Sequence, residues 1–332
     1  MVMILLRYDL RAPAWASSSP SELYSACLEQ CRWGDNLGFD MVVLSEHHGA
    51  EDGFMCSPIT IAGAVAGATK KIGINISAAL IPMHDPVRLA EQLATVDLLS
   101  QGRVSVIVGT GYRQEEFDMA DIAFRDRMPL LEESIRVMQA AFTGEYFDYR
   151  GRQVRVLPKP HSPNGPFLMM GGSTEKAARR AARLGLGFAA ADSNQQLADW
   201  YYDECKQVGF TGGFASVPPR LGFIHISEDP ERDWARIAPH ALHEAQVYAS
   251  WQRAGQHSAV SVMGAETVDD LKASGVYRVI TPAECVDMCQ NAGDFGSVLF
   301  HPLMGGLSPD VAWESLELFT NEVLPIIRPT AS

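Results

Sequence analysis

The chain has 332 residues, 47% hydrophobic and 20% charged, and its 27 Lys and Arg against 40 Asp and Glu leave a formal charge of −13. So acidic a chain repels phosphate backbones and anionic lipid, which excludes nucleic acid and membrane surfaces as partners unless a local basic patch overrides the whole. The best such patch, Arg150, Arg152 and Arg155 beside Tyr146, Phe147 and Tyr149, reads as a β-hairpin turning at Arg150-Gly151.

The apolar run before Arg7 and Asp9 is too short for a secretory leader or a membrane span, so a cytoplasmic protein is expected. The 6 cysteines make no disulfide framework in a chain of this length. Cys27/Cys31 and Cys285/Cys289 are spaced i, i+4 within helical patterns. They lack the C-x-x-C spacing of structural zinc sites and read as buried free thiols.

In chain order, Met3 to Leu6 is a first buried strand, and Ser19-Pro20 starts a helix over about 21–37 that Gly38 stops. A second strand over 40–44, a helix over 58–69, a third strand over 72–76 and a helix over 86–99 follow. Next come a fourth strand over 104–108, a helix over 129–142, the hairpin over 145–157 and a Pro-rich linker to Pro166. Strands over 167–170, 187–190, 220–226 and 296–300 complete eight, with helices over 174–184 and from Pro309 to about Val323.

Strand–helix alternation with near-continuous apolar strands implies a parallel sheet covered on both faces, either a (β/α)8 TIM barrel or a doubly wound sheet. A dinucleotide-binding sheet wants G-x-G-x-x-G after an early strand; here Gly109-Thr110-Gly111 is followed by Gln114 at the third glycine position, and there is no P-loop sequence. The α/β barrel is therefore the expected fold, as a single domain over 1–332 with insertions near 143–165 and 245–280. The second insertion carries Tyr248, Trp251, His257 and Met263.

Barrel chemistry sits at the C-terminal ends of strands. Those ends carry Ser45-Glu46-His47-His48, Ser77-Ala78-Ala79, Gly109-Thr110-Gly111 and Gly171-Gly172-Ser173-Thr174. Neighbouring histidines on an extended chain point to opposite sides and do not readily share an ion, so no metal is expected. One histidine facing the pocket as acid/base and one structural, with Glu46 orienting a ring nitrogen, is the functional reading; two satisfied rim histidines is the plain one. Gly171 to Thr174 at a helix mouth suits a phosphate, with Lys176 nearby, although a simple N-cap by Ser173 has the same sequence.

Several segments together resemble the luciferase-like flavin monooxygenase family. They are Leu37-Gly38-Phe39-Asp40, Ser45-Glu46-His47-His48, Pro82 to Glu91, Leu98 to Arg103, Gly171-Gly172-Ser173, Ser315 to Phe319 and Glu322 to Pro325. The resemblance implies a barrel binding FMN, or the deazaflavin F420, at its C-terminal mouth. His47 matches the family's proposed catalytic histidine, Ala78-Ala79 its non-proline cis peptide beneath the flavin ring, and Ser173-Thr174 its phosphate-contacting segment. Glu46, Gly111, Gly171 and Gly172 join them as expected cofactor neighbours. Thr110 stands where bacterial luciferase has a phosphate-binding arginine and Gly109 where it has a reactive cysteine, so light emission is not expected.

The implied reaction takes reduced FMN and O2 through a flavin C4a-hydroperoxide to an oxygenated small organic substrate, with His47 as acid/base held by Glu46. Trp15, Phe54, Met55, Tyr112 and Met304 are candidate pocket walls. With no nucleotide fingerprint in the chain, reduced flavin is expected from a separate NAD(P)H-dependent reductase. F420-dependent hydride transfer on the same barrel is the alternative, and a flavin-binding protein without turnover or a metallohydrolase stand behind it. The small-residue helix over 61–69 suggests a homodimer.

Overall fold

Strand β1 (Met3–Tyr8) buries Ile4, Leu6 and Tyr8 completely, as an apolar run does when both faces of a parallel strand are covered. The computed structural model describes residues 2–218, 222–252, 262–293 and 296–329. His257 and the first residues of the strand expected over 220–226 lie outside the described residues. Helix α1 (Pro20–Leu37) opens on a capping box between Ser19 and Glu22 and closes on Gly38 at φ 78°, as its flanking residues predict.

The chain continues through β2 (Met41–Leu44), α2 (Pro58–Ala68), β3 (Gly73–Leu80), α3 (Pro86–Ser100), β4 (Val104–Gly109), α4 (Gln114–Met119) and α5 (Arg127–Phe142). The hairpin follows as β5 (Phe147–Tyr149) and β6 (Arg152–Val154), paired antiparallel. Then come β7 (Phe167–Gly172), α6 (Glu175–Arg183), β8 (Gly187–Ala190), α7 (Gln196–Val208) and β9 (Ala215–Ser216). The last stretch holds β10 (Phe223–Ile226), α8 (Pro230–Trp251), α9 (Val268–Ser274), β11 (Tyr277–Ile280), α10 (Pro282–Gln290), β12 (Ser297–Phe300) and α11 (Pro309–Leu318).

Two compact units divide the chain: residues 1–43, 50–54 and 218–332 form the first, and residues 44–49 and 55–217 the second. In the first, the strand order is β11-β10-β12-β1-β2, and β10 pairs in parallel with β11 and β12, as β1 does with β12. Its core joins Trp234, Ile237, Ala241 and Ala245 of α8 to Tyr277, Leu299 and Met304. In the second unit the order is β3-β4-β7-β8-β9, all parallel. No helix among the described residues is long and apolar enough to cross a membrane.

Three departures from the sequence reading matter. Strand β3 runs on through Ser77, Ala78 and Ala79 to Leu80, with its register against β4 shifting between Ser77 and Ala79. Strands β9 and β11 add to the eight expected: Arg278 interrupts the apolar run of β11, and β9 is only 2 residues long. Residues 245–280 thus hold the end of α8, then α9 and β11. Helix α6 is capped by Thr174, whose Oγ1 accepts the Ala177 N–H at 3.2 Å, and Ser173 is not the cap. The cysteines at 27, 31, 285 and 289 are free and buried, as their spacing suggests.

Gly172, the last residue of β7, sits where a Cβ would lie 2.5 Å from that of Ala177 on α6. Gly172→Ala is therefore expected to lower stability by about 1–3 kcal/mol through overpacking, read as a shift of the urea midpoint at unchanged m-value.

Candidate active site

Just past β2, alternation of an extended chain sets Glu46 and His48 to one side and His47 to the other. In the second unit His47 meets a carboxylate from the helix that follows β4: its Nδ1 lies 2.8 Å from Oε1 of Glu116 on α4. The same oxygen accepts the His48 backbone N–H at 3.0 Å and Nη1 of Arg113 at 3.2 Å. Burial opposes ionisation of Glu116, but the hydrogen bond from His47 and the His48 N–H outweigh it and hold its pKa below the usual carboxylate range. An ionised Glu116 fixes His47 with its proton on Nδ1, which turns Nε2 toward the hydroxyl of Tyr112 at 3.3 Å. Oε2 of Glu116 is buried with no hydrogen-bond partner.

Glu46 takes a different set of partners. Its Oε1 accepts from Nε2 of His48 at 3.0 Å and from Nε2 of His84 at 2.9 Å, and its Oε2 accepts the Leu80 N–H at 2.7 Å. Burial alone would raise its pKa; the hydrogen bonds from His48 and His84 lead the opposing contributions and bring it down to about 2. His48 is raised in turn, chiefly by its bond to Glu46. The expectation that Glu46 holds His47 is therefore corrected: parity gives Glu46 to His48, and Glu116 orients His47. The non-proline cis peptide also lies one bond earlier than expected, between Ser77 and Ala78.

Around this pair, Ala78, Thr110, Gly111, Gly171, Gly172 and Ser173 are half-buried and Thr174 is exposed, whereas Ala79 and the carboxylate of Glu46 are fully enclosed. A Cβ on Gly109 would lie 2.9 Å from the Ala78 Cβ, so the ends of β3 and β4 approach each other here with nothing larger than a methyl between them. Arg113, three residues beyond Thr110, is turned to the His48 carbonyl at 2.9 Å and to Glu116. Of the expected walls, Tyr112 touches His47, and Met55, itself buried, accepts the His47 N–H through its carbonyl at 3.1 Å.

The profile of the luciferase-like monooxygenase family matches residues 7–288. The chain belongs to that family. It is 28% identical over 203 residues to the alkanal monooxygenase β chain of Vibrio harveyi, covering 57% of this chain and 61% of that one. The chain thus spans less than two thirds of the length of these curated relatives. Among solved structures, the FMN complex of the oxygenating constituent of 3,6-diketocamphane monooxygenase from Pseudomonas putida, a type II Baeyer–Villiger enzyme, superposes with a TM-score of 0.70 at 18% identity over 99% of both chains. An F420-dependent secondary alcohol dehydrogenase with an F420–acetone adduct gives 0.69 at 19% identity over 98% of this chain and 99% of that one. The two structural likenesses place the fold in the (β/α)8 barrel class.

The first unit of this family member holds a second polar cluster, at the ends of the paired strands β1 and β12. Arg7 Nη1 stands 3.2 Å from Glu244, 3.1 Å from His301 Nδ1 and 3.6 Å from Asp9. Arg11 bonds Asp9 at 3.1 Å and Asp52 at 2.8 Å, with the rings of Phe54 and Tyr248 each 4.5 Å from its guanidinium carbon. Leu10, between the two, is buried at φ 55°. Burial pulls the His301 pKa down, but Glu244 and Asp9 raise it more, so it is raised overall. Trp15 lies against His240 and His243 of α8, and Met304 is core.

Sequence reasoning missed this cluster and Glu116. The available signals were charges at 7, 9 and 11, every second residue at the end of a buried strand, and a carboxylate in the first turn of the helix after β4.

Glu46 supplies a pH test. Its ionised form is favoured in the folded chain, so its contribution is complete above the unfolded value of 4.5 and is lost as pH falls toward 2. Glu46→Gln is expected to remove about 3 kcal/mol at neutral pH and to flatten the pH dependence of unfolding free energy between those values, measured by denaturant titration across pH.

Proposed function

We propose that the chain is a flavin-dependent monooxygenase that uses reduced FMN and O2 to oxygenate a small organic substrate. The observation that carries this reading is the His47–Glu116 pair at 2.8 Å, a buried imidazole oriented by a carboxylate at the end of barrel strands. Bound reduced FMN supplies the oxygen activation. The residues fit such a group: the half-buried Ala78, Thr110, Gly111, Gly171 and Ser173 lie at or just past the ends of β3, β4 and β7, and Oε2 of Glu116, which has no hydrogen-bond partner, offers an acceptor beside His47.

In this reading the Nδ1 proton of His47 stays toward Glu116, and its Nε2 takes up and releases the proton of the reaction. Glu116 holds the ring and stabilises its charged form, and Tyr112 shares the Nε2 side. Glu46 acts by position, tying the end of β2 to Leu80 at the end of β3. Backbone N–H groups of Gly171 and Gly172 and the hydroxyls of Ser173 and Thr174 would hold the phosphate, and Thr110 and Gly111 would lie beside the cofactor. The reduced cofactor arrives from a separate NAD(P)H-dependent reductase. The enzyme works as a homodimer, for which the exposed Thr60, Ala64 and Gly67 of α2 permit close helix approach.

A second reading, F420-dependent hydride transfer, is favoured by one observation: Thr110 offers no guanidinium to a phosphate, and Arg113 is already engaged by His48 and Glu116. Anaerobic fluorescence titration with each reduced cofactor separates the two. Tight FMN binding with weak F420 binding is expected, and the reverse overturns the primary reading. His47→Ala is expected to lower turnover by about 10²–10⁴-fold with cofactor affinity little changed. Glu116→Gln should lower it by roughly 10–100-fold, both measured by O2 consumption coupled to product formation.

A further inference from the structure

The three side chains around Oε1 of Glu46 have a use that the flavin reading leaves aside. Nε2 of His48 and Nε2 of His84 lie 3.0 Å and 2.9 Å from that oxygen, and all three atoms fall within 4.8 Å of one another. We propose that Glu46, His48 and His84 form a binding site for one divalent transition-metal ion. With metal–ligand bonds of about 2.0–2.1 Å, ligand atoms about 3 Å apart subtend roughly 90° at the ion, so both nitrogens can sit cis to the carboxylate oxygen. Two imidazoles and one carboxylate suit Fe²⁺, Co²⁺, Ni²⁺ or Zn²⁺ and not Mg²⁺ or Ca²⁺, and they leave further positions for water.

The surroundings support a built site. The Leu80 N–H fixes the second carboxylate oxygen, and the His48 backbone is held by Glu116, the kind of outer contact that orients metal ligands. The side chains of His48 and His84 are 17% and 25% exposed while that of Glu46 is 0%, which gives an ion an entry path to a buried charge. Without metal, each Nε2–H donates to Oε1; an ion replaces both protons. The contrast with Asp9, Glu244 and His301, whose ligand atoms also fall within 4.8 Å, is instructive. There Nη1 of Arg7 reaches all three groups and already supplies the cation. Adjacent histidines do not share the ion, as their parity predicts; the second imidazole comes from His84, in the segment after β3.

The test is a titration of the full-length, chelator-stripped protein with cobalt(II) chloride, followed by equilibrium dialysis with metal analysis and by visible absorption. One equivalent of cobalt with d–d bands and no thiolate charge-transfer band is expected. His84→Asn keeps an N–H donor for Glu46 but ligates poorly, so affinity should fall at least tenfold with the far-UV circular dichroism unchanged. His48→Asn should do the same, and His84→Cys should bind again with a new thiolate-to-cobalt band. Absence of stoichiometric binding by the wild type at about 1 mM cobalt, or binding as tight in both asparagine variants as in the wild type, overturns the proposal.

Discussion

A buried carboxylate must find donors or lose its charge, and the second unit is arranged around two that find them. Glu46 gathers His48, His84 and the Leu80 N–H; Glu116 gathers His47, Arg113 and the His48 N–H. Between them they fix the loop after β2, the end of β3 and the start of α4. His48 belongs to both sets, by its ring to Glu46 and by its backbone to Glu116, so neither carboxylate can shift without moving the other's partners. Rigid support of this kind is what an acid/base group requires, since small displacements cost large factors in rate.

Parity decides which histidine is available. Three successive residues, Glu46, His47 and His48, alternate sides, and the carboxylate that shares a side with His48 consumes that ring. His47, on the other side, meets Glu116 through Nδ1 and the Tyr112 hydroxyl through Nε2. The same alternation operates in the first unit at Arg7, Asp9 and Arg11, where Leu10 in the left-handed region brings Arg11 back onto Asp9. There the outcome differs: guanidinium and carboxylate neutralise each other within a collar of Phe54, Tyr248 and Trp251.

The legibility of these features in the sequence follows their range. Caps and continuous apolar strands are local, so α1 with its Ser19–Glu22 box and Gly38, β2, β4 and the β5–β6 hairpin could be read directly. β11 escaped because Arg278 interrupts its apolar run, and its burial comes from packing against α8 and β10 rather than from its own pattern. His47 was legible from its strand end and from the resemblance. Its partner was not, because 69 residues separate His47 from Glu116 and nothing short of the fold says which of Glu115 and Glu116 turns inward. The cis peptide was placed one bond late for a similar reason: three small residues in a row carry no mark of where the strand shifts register.

The resemblance and the residues therefore do separate work. Family membership and likeness at 18–19% identity fix the class of fold, and the solved structures hold FMN in one case and F420 in another, so they do not choose between cofactors. The choice falls to local chemistry. Arg113 is drawn inward to steady Glu116, and the side-chain cation nearest the Gly171–Thr174 segment in sequence is the exposed Lys176. The inward turn of Arg113 thus has two sides: it steadies the carboxylate that holds His47, and it takes from the strand-end segment the one guanidinium that stands close to Thr110 in sequence, the feature that keeps F420 as the second reading.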